Sequence, residues 1–224
     1  MVPRKTTTRA RLITTAAELF RRQGYAQTGV NQIIQEANAT SGSFYHFFPA
    51  KEDLLLAVVD HLAEIFAVEI FDAAAENSDE PISEIFAILG LYRQQLDTGG
   101  LAFSSPMASL SAEVSENHPG VRARLAEVFV AWTGRIEEML RSAGKRLPPS
   151  PDRSALAQLV VCTMEGAVLG TRLNRSLAPF DAAIAQLRSY FDLLEDRVEA
   201  PRAVATAGRP TPATSLQTAD WRSW

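Results

Sequence analysis

One cysteine, three histidines and no uninterrupted apolar run near the ~18 residues of a bilayer span set the first limits on this chain of 224 residues. Cys162 alone excludes an intrachain disulfide and fits a reducing cytoplasm. His46, His61 and His118 are too few and too dispersed for a histidine-based zinc site, and no HExxH or paired CxxC occurs. A phosphate-cradling glycine loop and a serine nucleophile elbow are missing as well, so the chain is not expected to be an enzyme and no cofactor is implied. Arg4, Lys5, Arg9 and Arg11 are not followed by an apolar segment, so a signal peptide is not expected. No β-strand pattern or internal repeat stands out.

What is present is an ordinary globular composition, 46% apolar and 21% charged, with a net charge of −4. The charge is divided unevenly. Arg4, Lys5, Arg9, Arg11, Arg21, Arg22 and Lys51 face only Glu18 and Glu36 within residues 1–51, a net +5, which leaves −9 for the remainder. A basic end on an acidic body suits a chain that meets phosphates at one end only.

Periodicity predicts helix after helix, an all-α chain. The first helix is expected over 8–23, with Ile13, Ala16, Ala17, Leu19 and Phe20 as its apolar stripe and Gly24 as its stop. Thr28 is placed to cap a second helix that turns Val30, Ile33, Ile34 and Ala37 inward. Asn38 takes the following turn, Thr40 or Ser41 caps a short third helix, and Pro49 closes it before a fourth opens near Lys51. The fourth is amphipathic over 54–70, and further helices are expected over 82–96, 106–116, 121–143, 154–174 and 180–197, about nine in all. His118-Pro119-Gly120 reads as a turn, Ala178-Pro179 as a separator, and residues 199–224, rich in Pro, Ala, Thr and Ser, as a disordered tail.

Residues 28–51, TGVNQIIQEANATSGSFYHFFPAK, combine an amphipathic helix, a polar turn, a very short helix and a proline stop, which is the layout of a helix-turn-helix. In that layout the second helix enters the DNA major groove. Gly42 and Ser43 remove bulk there, Thr40, Ser41 and Ser43 offer hydroxyls, and Tyr45 and His46 offer longer polar tips. Phe44 and Phe48 are expected to point inward. Lys51 and Thr28 are expected at phosphates, with Arg4, Lys5 and Arg9 as a basic arm toward the backbone or minor groove.

The wording Gly42-Ser43-Phe44-Tyr45-His46-Phe47-Phe48-Pro49 followed by Lys51 resembles the recognition-helix signature of the TetR family of bacterial regulators. Thr28, Ala37, Gly42, Tyr45, Phe48 and Lys51 match that family's pattern as they stand. Asn38, Ala39 and Thr40 replace its usual glycine, valine and serine. The resemblance implies a helix-turn-helix unit over 1–51 and a helical ligand-binding and dimerisation domain over 52–198. It implies a homodimer that binds a near-palindromic operator and a small, mainly apolar effector that releases it. A transcriptional activator of the same fold, or a helical interaction module without DNA binding, is the alternative. Candidate effector contacts are Phe66, Phe86, Leu89, Tyr92, Phe103, Met107, Leu110, Trp132 and Met164, each with simple core as its competing role. Arg93, Glu165 and Arg172 are either a polar handle for the effector or ordinary salt bridges. Gly166 and Gly170, with Ile184, Leu187, Phe191 and Leu194, are candidates for the dimer interface or else for the chain's own core.

Overall fold

The computed structural model describes residues 7–99, 110, 111, 113, 114 and 118–199. Arg4, Lys5, Phe103, Met107, most of the helix expected over 106–116 and the tail beyond 199 lie outside these residues. Among the described residues every regular element is helical.

Helix α1 (Thr8–Gln23) has the expected bounds. The Thr7 hydroxyl accepts the Ala10 N–H at 3.2 Å to start it, and Arg21 and Arg22 sit at its negative C-terminal end. It stops because Gly24 adopts φ 87°, a left-handed angle that costs a residue with a Cβ. Helix α2 (Val30–Glu36) follows, then α3 (Ser41–Phe47) and α4 (Lys51–Phe66). The α2–α3 turn rests on Asn38 at φ 49°, the tolerance its amide side chain was expected to supply. Ile13, Ala16, Leu19 and Phe20 of α1, Ile33 and Ala37 around α2, Phe44 and Phe48 around α3, and Leu54, Leu55 and Val58 of α4 are all buried, which gives the N-terminal unit one core.

Helix α4 does not end where its α-helical hydrogen bonds do. It continues through a π-helical stretch, Ala67–Asp72, into a last turn, α5 (Ala73–Glu76). Because π turns bond i to i+5, Phe66 and Phe71 share one face of this segment, with their rings 5.6 Å apart. An unbroken α-helix would turn them to different sides. Phe66 also stacks on Trp132 at 4.0 Å and meets Tyr92 edge-on at 5.2 Å, so this irregular stretch anchors the aromatic centre of the body.

The body continues with α6 (Pro81–Thr98), α7 (Pro119–Ser142), α8 (Arg153–Asn174) and α9 (Ala178–Glu199). The sequence marks Pro119 and Pro179 as a turn and a separator. Each instead lies in the first turn of a helix, where the missing N–H has no intrahelical partner to lose. Helix α8 is long and apolar enough to cross a membrane by length and composition alone. It packs against both α7 and α9, with Leu156, Val160, Val161, Met164 and Val168 buried.

Surface ion pairs tie the body's helices together at their rims. Arg93 of α6 holds Asp181 of α9 through two contacts of 2.5 and 2.9 Å and keeps that carboxyl below its ordinary pKa by hydrogen bonding to it. The salt-bridge alternative for Arg93 is therefore the one observed. Arg146 reaches both Glu80 and Glu195, and Arg124 of α7 meets Asp60 of α4 at 2.6 Å. Pairs this exposed contribute little each, so the buried aromatic and aliphatic side chains carry the stability.

Replacing Gly24 with alanine should destabilise the fold by about 1–3 kcal/mol, because a Cβ is forced into the left-handed region. A denaturant titration followed by circular dichroism measures this.

Candidate nucleic-acid interface

Helix α3 is only seven residues long, and two devices fix it. At its start the Thr40 hydroxyl accepts the Ser43 N–H at 3.1 Å, while the Ser43 hydroxyl accepts the Thr40 N–H at 3.1 Å. This reciprocal box settles the cap on Thr40 rather than Ser41. It also gives Ser43, expected to offer its hydroxyl outward, a role within the chain. At the other end Phe44 and Phe48 are 0% and 2% exposed and hold the helix to the core.

The opposite face of α3 is open. Ser41, Gly42 and His46 are exposed, and Tyr45 and Phe47 are 57% and 37% exposed. A Cβ at Gly42 would meet nothing closer than the Thr40 hydroxyl at 4.0 Å, so packing inside the chain does not require a glycine there. Ser41, Gly42, Tyr45 and His46 thus form one contiguous outward surface, as the sequence predicts.

Three other expected contacts are placed differently. Thr28 does not cap α2. It is 1% exposed, its hydroxyl donates to the Gly24 carbonyl at 2.7 Å, and Gly29 takes the N-cap position. That hydroxyl is used to close the α1–α2 turn and is not directed outward. Lys51 opens α4 as expected, but its ammonium lies 2.5 Å from the Tyr25 carbonyl oxygen and 4.0 Å from the centre of the Tyr25 ring. Burial lowers its pKa from the ordinary value, and Glu113 opposes that shift. Arg9 belongs to the first turn of α1, not to an arm, and its guanidinium sits 5.4 Å from the Phe48 ring centre.

Arg11, counted from the sequence only as one of the basic residues, has a specific task. Its side chain donates to the carbonyls of Ala37 and Asn38 at 3.1 and 3.2 Å, satisfying acceptors that α2 leaves open at its C-terminus. The signal was available: a turn built on a left-handed Asn leaves carbonyls to be paired, and Arg11 is the long donor on the neighbouring helix.

The candidate effector contacts divide. Phe66, Leu89, Tyr92, Leu110, Trp132 and Met164 are buried, and Phe66, Tyr92 and Trp132 come together in the aromatic cluster. Phe86 is half-buried beneath the Arg188 guanidinium, 3.3 Å from its ring centre, and meets Phe191 of α9 edge-on at 5.4 Å. A surface hollow of about 210 Å³ lies elsewhere, between α7 and α8, lined by Phe129, Val130, Thr133, Glu137 and Gln158 among others. None of the candidates lines it.

The dimer candidates need correction too. Leu187, Phe191 and Leu194 are 5%, 0% and 1% exposed, so they serve the chain's own core, and Ile184 packs against that core half-buried. Gly170 is a close approach within the chain, because a Cβ there would lie 3.0 Å from Pro179 Cβ. Gly166 alone of the set is exposed. It belongs to a different row on α8: Leu159, Cys162, Gly166, Leu169 and Leu173, spaced three and four apart and all exposed, with Tyr190 and Leu193 exposed on α9.

Comparison with known proteins agrees with this architecture. Residues 12–58 match the bacterial regulatory proteins of the tetR family, and residues 81–186 match the C-terminal domain of LmrA/YxaF-like transcriptional regulators. The chain is 33% identical over 188 residues to an uncharacterized HTH-type transcriptional regulator of Mycobacterium tuberculosis (strain ATCC 25618 / H37Rv), covering 81% of this chain and 92% of that one. It is 34% identical over 173 residues to the HTH-type transcriptional regulator LmrA of Bacillus subtilis (strain 168), covering 76% and 89%. A crystal structure of a TetR transcriptional regulator from Chloroflexus aurantiacus superposes with a TM-score of 0.74 at 29% identity, covering 83% of this chain and 94% of that one. With a helix-turn-helix built on Phe44 and Phe48 and relatives that share most of its length, the chain belongs to the TetR family of transcriptional regulators.

Proposed function

We propose that the chain is an effector-responsive repressor that binds a near-palindromic operator as a homodimer through α3. The observation that carries the DNA contact is the open face of Ser41, Gly42, Tyr45 and His46. A glycine unneeded by internal packing leaves room for something outside to approach, and the residues around it offer hydroxyl, phenol and imidazole groups to phosphates and base edges. The +5 charge of residues 1–51 supplies the sequence-independent attraction. Specificity then falls on Ser41, Tyr45 and His46.

Dimerisation is assigned to the exposed row on α8 together with Tyr190 and Leu193 of α9. A row of apolar residues three and four apart is a helix-packing seam, and leaving it in water is unfavourable. Pairing this face with its copy buries the seam, and two α3 helices about 34 Å apart then meet successive turns of DNA. The effector reading rests on the aromatic centre around Phe66, Tyr92 and Trp132. A small apolar molecule entering there would act on α4, which leads directly to the DNA-binding unit. A ligand shifts the balance only so far as it prefers one arrangement over the other.

On the DNA upstream of its own gene, Tyr45→Ala should weaken binding about tenfold or more in a fluorescence-anisotropy titration, with melting temperature unchanged. Lys51→Ala should behave differently: it should lower stability by about 1 kcal/mol while the slope of log affinity against log salt stays at the wild-type value, because its ammonium faces Tyr25. A slope reduced by about one unit would return Lys51 to the phosphates. For the dimer face, the double variant Leu169→Glu, Leu173→Glu should sediment as a monomer and retain helical circular dichroism, and an unchanged dimer mass would move the interface elsewhere.

A further inference from the structure

The DNA-binding unit is attached to the body at a second place besides α4. Leu110 and Val114 are buried, and a helical hydrogen bond of 2.9 Å from the Val114 N–H to the Leu110 carbonyl links them. This turn presents Glu113 to the α1–α2 loop of the DNA-binding unit. One Glu113 carboxylate oxygen accepts the Ala26 N–H at 3.0 Å. The other lies where a Gly24 Cβ would come within 2.9 Å, so the carboxylate is seated directly on the glycine. A few residues later His118, at the start of α7, meets the Tyr25 ring edge-on at 5.4 Å. Tyr25 is itself held from below by Phe20 at 5.2 Å and from the side by Lys51. Three successive residues, Gly24, Tyr25 and Ala26, are therefore gripped by a segment that belongs to the body.

We propose that Glu113 is a positioning residue for DNA binding: it acts as a strut that fixes the helix-turn-helix against the body, so that release of this contact weakens operator binding without removing any contact to DNA. The physical reason is the geometry of attachment. A unit joined only through α4 retains freedom to turn about that helix and to swing at its start. Attachment at a second point, on the loop at the far end of α1 from Thr8, removes that freedom. DNA then does not have to supply the ordering, which is the usual benefit of preorganisation. A charge-assisted bond from a carboxylate to a backbone N–H suits the role, being roughly twice as strong as a neutral one while remaining breakable. Glu113 lies three residues from Leu110, one of the candidate effector contacts, so movement of that segment would reach the strut directly. The inference rests on the DNA-binding reading above.

The experiment compares wild type, Glu113→Gln and Glu113→Ala in the full-length chain. Anisotropy titrations use the DNA upstream of its own gene over a range of salt, and hydrogen–deuterium exchange follows the Ala26 amide. Glu113→Ala should bind about tenfold more weakly with the same salt slope, and its Ala26 amide should exchange about tenfold faster. Glu113→Gln keeps an acceptor oxygen and should fall between the two. A merely structural role would lower the melting temperature and the fraction of active protein but leave the affinity of the folded fraction alone. If wild type binds the DNA, affinity of Glu113→Ala within twofold of it overturns the strut. If wild type does not bind, the proposed function fails independently, and unchanged Ala26 exchange overturns the strut by itself.

Discussion

Burial of Phe44 and Phe48 is the constraint on which the N-terminal unit depends. A helix of seven residues has no stability of its own in water, since its nucleation cost is not recovered over so few hydrogen bonds. The two rings, with the Thr40–Ser43 box at the other end, turn an unstable peptide into a fixed surface. The rest follows from keeping that surface in place. Arg11 closes the turn before it, Asn38 supplies the left-handed angle, and α4 adds Leu54, Leu55 and Val58 to the same core.

Tyr25 holds a comparable position at the boundary between unit and body. It touches Phe20 and Lys51 on one side and His118 on the other, and its backbone is bracketed by the Glu113 contacts at Gly24 and Ala26. Burial raises its phenol pKa, with nearby Glu52 adding to the effect. A lysine that sequence places at a phosphate is thus occupied by a carbonyl and a ring.

Much of this was readable from residue order. The bounds of α1, the left-handed Asn38, the opening of α4 at Lys51 and the inward turn of Phe44 and Phe48 follow from caps, turn chemistry and a 3.6-residue period, all of which are local. What was not readable depends on partners distant in sequence. The period marks Leu187, Phe191 and Leu194 as a buried face without saying whether the chain or a copy of it covers them. Gly166 and Gly170 look equivalent in a string, yet Pro179 lies against only one. Thr28 carries the right group for a helix cap, and the Gly24 carbonyl takes it first. Pro119 and Pro179 announce a boundary without its direction, and here each marks a start. Helix α8 reads as unusually apolar because it has two apolar faces, one in the core and one in the exposed row.

The capping box on α3 has a consequence for how such a chain changes over time. Thr40 and Ser43 have their hydroxyls engaged in holding the helix, whereas Ser41, Gly42, Tyr45 and His46 are exposed on its surface and contribute little to its folding. Holding the helix and presenting its outer face fall to different residues on the same two turns of helix. Under the DNA contact proposed for this face, drift at the four outer positions would alter which DNA is preferred while the scaffold stays as it is, and a designer wishing to retarget the protein would vary the same four positions.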